Sequence, residues 1–165
     1  MKRVILLSVG FPFGNHEPFL RGELKYHKQL TLASAYIGDE RRTKNNMPDD
    51  INITLWHYSS PFFRGNKAAR VLSAVGAFFT PDFWRELHSE DIAPVQPHKV
   101  LTLLSFISKA NEIVSFVSNE IEKANYKNDE LIFYSYWMDH LALAAVKLAE
   151  KYNGKAVTRC HGYDV

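Results

Sequence analysis

Val4-Ile5-Leu6-Leu7-Ser8-Val9-Gly10-Phe11-Pro12-Phe13-Gly14-Asn15-His16-Glu17-Pro18 is the stretch on which the fold turns. Val4 to Val9 is continuous and rich in Val, Ile and Leu, the pattern of a strand covered on both faces in a parallel sheet. Such a strand needs a crossover, and the next residues supply one. After the loop Gly10 to His16, Glu17-Pro18 predicts a helix start, with Pro at the first helical position and Glu favoured by the N-terminal dipole. Leu20, Leu24 and His27 then share a face. Lys2 and Arg3 ahead of an apolar run also suit a secretory signal, but Gly10, Pro12 and Gly14 interrupt this run too soon for one.

Outward from that unit, Leu30 to Ile37 predicts a second strand, and Asp39 to Asp50 a polar excursion. Ile51 to Tyr58, with Ile51, Ile53, Leu55 and His57 on one side, predicts a third strand. From Asn66 a helix fits, with Ala69, Leu72, Val75, Gly76 and Phe79 at helical spacing and a stop at Thr80-Pro81. Pro81 to Leu87 reads as a short helix, and Pro94 and Pro97 punctuate a connection. Leu101 to Ala124 is the longest periodic segment, its stripe running through Leu103, Phe106, Ile107, Ala110, Ile113, Val114, Val117, Ile121 and Ala124. Asn128-Asp129 turns the chain into a strand from Leu131 to Trp137. Asp139 predicts the cap of a helix whose Leu141, Ala144, Ala145, Leu148 and Tyr152 share a face, closed by a left-handed cap at Asn153-Gly154. Ala156 to Cys160 is a last short strand, followed by His161-Gly162-Tyr163-Asp164-Val165. Alternating strands and helices predict one α/β domain with a doubly wound, mainly parallel sheet and helices on both faces. Ligands of such sheets bind beyond the carboxyl ends of the strands. The loops to watch are therefore Gly10 to Glu17, Tyr58 to Arg64, Tyr136 to Asp139 and His161 to Asp164.

Composition excludes several classes of function. A chain of 165 residues that is 46% hydrophobic and 13% aromatic buries a sizeable core and is not disordered. Twenty Lys and Arg against 18 Asp and Glu leave a net charge of +2, which speaks against nucleic acid as a partner. One cysteine, Cys160, makes no internal disulfide and seeds no zinc cluster, which fits a reducing cytoplasm. The expectation is that nothing here spans a bilayer, because no uninterrupted run of about 18 apolar residues occurs. The histidines form no His-Glu-x-x-His pattern, and His88 and His98 fall in surface-like segments. There is no Gly-x-Ser-x-Gly elbow either.

Two places carry chemistry. In the first loop, Gly10 and Gly14 stand between a strand and a helix, where backbone N–H groups can face an anion or simply shape a turn. Neither Gly-x-Gly-x-x-Gly nor a Walker pattern is present. The second place is His161, just past the last strand and followed by Gly162, able to donate to a sugar hydroxyl or to shuttle a proton, or else merely packed. The loops bring His16, Tyr58, Tyr136, Trp137, His161, Tyr163 and Asp164 toward one rim, and aromatic faces with short polar groups suit a carbohydrate. Arg64, Lys67 and Arg70 precede Phe78, Phe79, Phe83 and Trp84, a stretch that suits an anionic membrane surface, although packing inside the domain explains the same aromatics.

Two motifs give the chain a resemblance. Phe11-Pro12 followed by Glu17-Pro18-Phe19-Leu20-Arg21-Gly22-Glu23-Leu24 resembles the opening of bacterial GT-B fold glycosyltransferases of family 4, the type that builds surface polysaccharides. Thr158-Arg159-Cys160-His161-Gly162-Tyr163-Asp164 is similar to the Arg-x-His-Gly-x-Asp that ends a middle strand of that family. One glycine, Gly10, stands where many relatives have a pair. The resemblance implies an N-terminal, acceptor-side Rossmann-like domain of a hexosyltransferase-like enzyme, whose donor-binding domain and Glu-x7-Glu motif lie outside these residues. Glu112 and Glu120 share that spacing but belong to the long core helix, in the other half of such an enzyme.

The resemblance further implies transfer of a sugar from a nucleotide-sugar donor to a glycan or lipid-linked acceptor, with no cofactor and no metal. The location it implies is cytoplasmic, with peripheral contact to the inner membrane. His161 is then the catalytic candidate, lining the cleft beside the transferred sugar. Gly10, Phe11, Gly14, Asn15, His16, Glu17, Tyr136, Trp137, Gly162 and Asp164 are the substrate-binding candidates, and the isolated domain is expected to be inactive. The alternative is a non-catalytic small-ligand or regulatory binding module with a flavodoxin-like fold, and a third reading is a peripheral membrane adaptor.

Overall fold

The computed structural model describes residues 2–13, 17–27, 29–34, 52–58, 67–89, 96–126 and 129–161. Val4 to Val9 lies largely within strand β1 (Lys2–Ser8), and its side chains alternate between two cores, as a strand covered on both faces requires. Leu6 joins Phe11, Leu20, Leu24, Leu30, Leu32 and Tyr136 on one side of the sheet. Ile5 and Leu7 join Trp56, Ile113, Val117, Phe133 and Leu148 on the other. Helix α1 (Leu20–Leu24) covers the first side, and strands β2 (Gln29–Ser34) and β3 (Asn52–His57) extend the sheet. Helices α2 (Lys67–Phe78), α3 (Pro81–Leu87) and α4 (Pro97–Lys123) follow, then β4 (Glu130–Ser135), α5 (His140–Tyr152) and β5 (Lys155–Thr158). All pairings are parallel, in the order β3-β2-β1-β4-β5. This is the Rossmann order, with its reversal between β1 and β4, and not the 2-1-3-4-5 order of a flavodoxin-like sheet.

Local chemistry explains most of the boundaries. Asp139 caps α5 by accepting from the Leu141 N–H at 2.8 Å, and Leu141, Ala144, Ala145 and Leu148 are buried as their spacing predicts. Asn153 ends that helix in the left-handed region at φ 51°. At Gly154 a Cβ would stand 2.6 Å from the Leu131 carbonyl oxygen, so a side chain there would push β4 away. At the amino end of β4, Arg3 joins Asp129 at 2.9 Å and lies 3.5 Å from the centre of the Tyr126 ring.

Several expectations need correction. Glu17-Pro18 does not begin a helix: α1 starts at Leu20, and Glu17 sits at φ 52° for a reason that lies in the candidate site. Pro97 begins α4 instead of interrupting a connection, because a proline costs nothing at the first helical turn, where no N–H bond is lost. The outward stripe of α2 is the one its spacing predicts to pack: Leu72 is 74% and Phe79 76% exposed, while Ala77 is the buried residue. Apolar residues surround that helix, so periodicity could not choose its face. Helix α4, although it holds no uninterrupted apolar run of about 18 residues, is long and apolar enough to cross a membrane by length and composition. Here it packs against α2 and α5, burying Ile107, Ala110, Ile113, Val117 and Ile121. The strands from Leu131 and Ala156 end at Ser135 and Thr158, before Trp137 and Cys160. The expectations on Ala35–Ile37, Asp39–Asp50, Ile51, Ser59–Asn66, Pro94 and Asn128 lie outside the described residues.

Burial lowers the pKa of His140 from its usual 6.5, against the pull of Asp139 and with a smaller contribution from Lys109; burial also lowers His27. The unfolded chain therefore binds more protons than the native one just below that value, so stability must rise with pH through this window and level off above it. Urea unfolding should show a lower midpoint at about pH 5.5 than at about pH 7.5. His140→Gln should flatten that dependence, and an equal slope in the variant would assign it elsewhere.

Candidate functional site

The carboxyl ends of parallel strands share one edge, and the crevice at the β1/β4 reversal is where such sheets bind ligands. Beyond β1, the N–H groups of Val9, Gly10 and Phe11 all point at one acceptor, the carboxylate of Glu17. Val9 donates to Oε1 at 3.1 Å, while Gly10 and Phe11 donate to Oε2 at 3.2 and 2.9 Å. Glu17 is only 6% exposed, and its positive φ turns the side chain back into the loop. The hydroxyl of Ser8 donates to the Phe11 carbonyl at 2.9 Å, and Phe13 N–H to that of Gly10 at 2.8 Å, so the turn is closed from within. The Phe11–Pro12 peptide is cis. The N–H groups expected to face a phosphate thus hold an internal anion, and its charge opposes a second one.

Tyr136 follows β4 directly and is fully buried; its hydroxyl has no hydrogen-bond partner among the described residues. Burial, and secondarily the charge of Glu17, raise its pKa. His161 leans on this residue from β5: the rings lie 4.9 Å apart, and Nε2 is 3.0 Å from the Tyr136 carbonyl oxygen. A carbonyl only accepts, so in that bond Nε2 is the donor. Trp137 completes the stack at 4.2 Å from the His161 ring. Ser135 fastens the turn by donating its hydroxyl to the Trp137 carbonyl.

Beneath this rim, residues not expected to matter hold it together. Glu23 of α1 accepts from the Tyr134 hydroxyl at 2.9 Å and forms an ion pair with Arg159, whose guanidinium also stands 5.4 Å from the Tyr136 ring. Glu23 and Arg159 belong to the two motifs quoted above, yet nothing in either stretch alone pairs them.

The structure thus gathers Gly10, Glu17, Tyr136, Trp137 and His161 at one edge. Phe11 and Tyr136 are buried in the core, and the Gly10 N–H is bonded to Glu17. Gly14, Asn15, His16, Gly162, Tyr163 and Asp164 lie outside the described residues. Tyr58 stands apart at β3, hydrogen-bonded to Glu112 of α4 at 2.9 Å. Among the described residues, no group of three or more His, Cys, Asp or Glu is placed to hold a metal.

Fold and site together define an α/β domain of Rossmann-like order, whose crevice is closed by its own carboxylate and rimmed by a Trp–His pair. No protein-family model matches the chain, and neither a curated protein nor a solved structure matches it.

Removing the carboxylate should unsettle the whole rim. Glu17→Ala leaves three donors without their acceptor and should cost about 3 kcal/mol, while Glu17→Gln, which keeps one acceptor oxygen, should cost roughly half of that. Urea denaturation measures both, and equal stability of wild type and Glu17→Ala would show that water replaces the carboxylate freely.

Proposed function

We propose that this chain is the acceptor-side half of a GT-B fold glycosyltransferase, moving a sugar from a nucleotide-sugar donor to a glycan or lipid-linked acceptor. The observation that carries the proposal is the meeting of its two motifs at the switch-point edge, tied by Glu23 and Arg159 below and by Tyr136 between Glu17 and His161 above. Trp137 and His161 are the half-buried groups there, an aromatic face beside an imidazole, which suits the C–H faces and hydroxyls of a sugar.

In this reading the His161 imidazole lines the cleft beside the transferred sugar, and Tyr136 and Trp137 fix the ring that presents it. The Glu17 carboxylate repels a pyrophosphate, so the donors that stabilise the leaving group come from the second domain, in a closed and water-poor cleft. This half alone lacks them. Neither a cofactor nor a metal enters the proposal.

The 165-residue chain incubated with a panel of nucleotide sugars and lipid-linked acceptors should give no product. The same residues within a two-domain protein should turn over, and His161→Ala should lower that turnover by roughly 10². Product from the isolated chain would refute the half-enzyme reading, and unchanged turnover in the variant would make His161 a packing residue.

The proposed location is cytoplasmic, with the outward face of α2 and α3 resting on the inner membrane. Val71, Leu72, Phe79 and Trp84 are exposed beside Lys67 and Arg70, and α2 carries no acidic residue. Such a cationic amphipathic face binds anionic lipid. The chain should therefore sediment with vesicles containing phosphatidylglycerol, and Leu72→Ser with Phe79→Ser should release it. Equal sedimentation of the double variant would remove the membrane from the proposal.

A further inference from the structure

Between α2 and α4, away from the rim, lies an open groove of about 520 Å³, within the range of roughly 300–1,000 Å³ common for small-molecule sites. Among the described residues that line it, the one formally charged group is Glu112. That carboxylate is strung between three elements: Oε2 accepts from Tyr58 at the end of β3 at 2.9 Å, and Oε1 from Ser73 of α2 at 3.2 Å. Beside it, Asn111 accepts from Lys147 through Oδ1 at 2.6 Å, which leaves the donor end of its amide for a ligand. Phe116 adds an apolar wall, its ring 4.7 Å from that of Tyr58. Asn111, Ser115 and Asn119 recur every fourth residue, so the polar wall follows one line along α4.

Gly76 supplies an independent sign. It lies inside α2, where glycine costs about 1 kcal/mol relative to alanine. Packing does not require it, since a Cβ built there would meet nothing within 4 Å, and its φ is not in the left-handed range. What its missing side chain preserves is the open space of the groove it lines.

We infer that this groove binds a neutral saccharide unit. A fixed carboxylate and amide donors take vicinal hydroxyls, an aromatic wall takes the C–H face of the ring, and among the described residues no Lys or Arg lines the groove to favour a phosphate. Tyr58 follows β3, three strands from β4, which at about 4.8 Å per strand is roughly 14 Å from the rim. The groove is thus distinct from the place proposed for sugar transfer, and it binds a sugar whether or not transfer occurs in the rim. In a transferase it would hold a residue of the glycan remote from the bond being made.

The test is an NMR titration of the ¹⁵N-labelled chain with maltotriose, chitotriose and mannotriose, using inorganic phosphate and putrescine as controls. At least one trisaccharide should shift the amides around Gly76, Asn111, Glu112 and Asn119 with a Kd of about 1–10 mM, an affinity of a few kcal/mol. Glu112→Gln should weaken this binding at least fivefold, Gly76→Trp should abolish it, and Gly76→Ala, which adds one methyl to the open space, should weaken it less than Gly76→Trp. Should Gly76→Trp lose its dispersed spectrum, Glu112→Ala serves as the second blocking variant. Absence of groove shifts with every trisaccharide overturns the inference, as do shifts that survive both blocking variants or a stronger response to phosphate or putrescine. Shifts confined to Tyr136, Trp137 and His161 would support the rim and reject the groove, which separates this inference from the transferase proposal.

Discussion

Three backbone N–H groups that follow β1 converge on one point, and a buried chain cannot leave them unbonded. The Glu17 carboxylate answers all three, and much of the candidate site follows from that. To bring its oxygens there, Glu17 adopts a backbone conformation unusual for a residue with a side chain, which delays the helix to Leu20. Its charge, after burial, helps to raise the pKa of the Tyr136 hydroxyl. The position most receptive to an external anion in this kind of sheet is filled from within.

A second tie joins parts of the chain that sequence keeps far apart. Tyr134 and Glu23 are 111 residues apart, yet they share a hydrogen bond, and Arg159 enters the same cluster. Helix α1 is only 5 residues long and makes little contact by itself, so this polar cluster and the buried Leu20 and Leu24 hold it to the sheet. Arg159 carries this cluster up to the rim, where its guanidinium stands by the Tyr136 ring. His161 is fixed by a ring stack and a carbonyl, both belonging to the turn that Ser135 fastens.

The parallel sheet was legible from Val4 to Val9, since only a doubly covered strand reads as an unbroken apolar run. Helix α5 was legible down to its Asp139 cap and its left-handed Asn153, because capping chemistry is local. Elsewhere local signals competed. Glu17-Pro18 carries the composition of a helix start, but the hydrogen bonds offered by Val9, Gly10 and Phe11 outweigh a dipole contact. In α2, apolar residues on every side left the buried face to be selected by contact with α4 and α3. Of the candidate site, the edge was legible once the strands were known to be parallel, and Trp137 and His161 fell on it; the burial of Phe11 and Tyr136 was not.

Residue order alone determined the α/β class, the parallel pairing and the loops that gather at one edge, because these depend on patterns within about 15 neighbouring residues. Tertiary structure alone decided which partners distant in sequence the carboxylates take. Glu17 turned from a helix start to a backbone cradle, Glu23 found Arg159, and Glu112 became the polar centre of a groove between two helices. A carboxylate bonds whatever donor the fold places within 3 Å or so, and that distance is set by the packing of several elements at once.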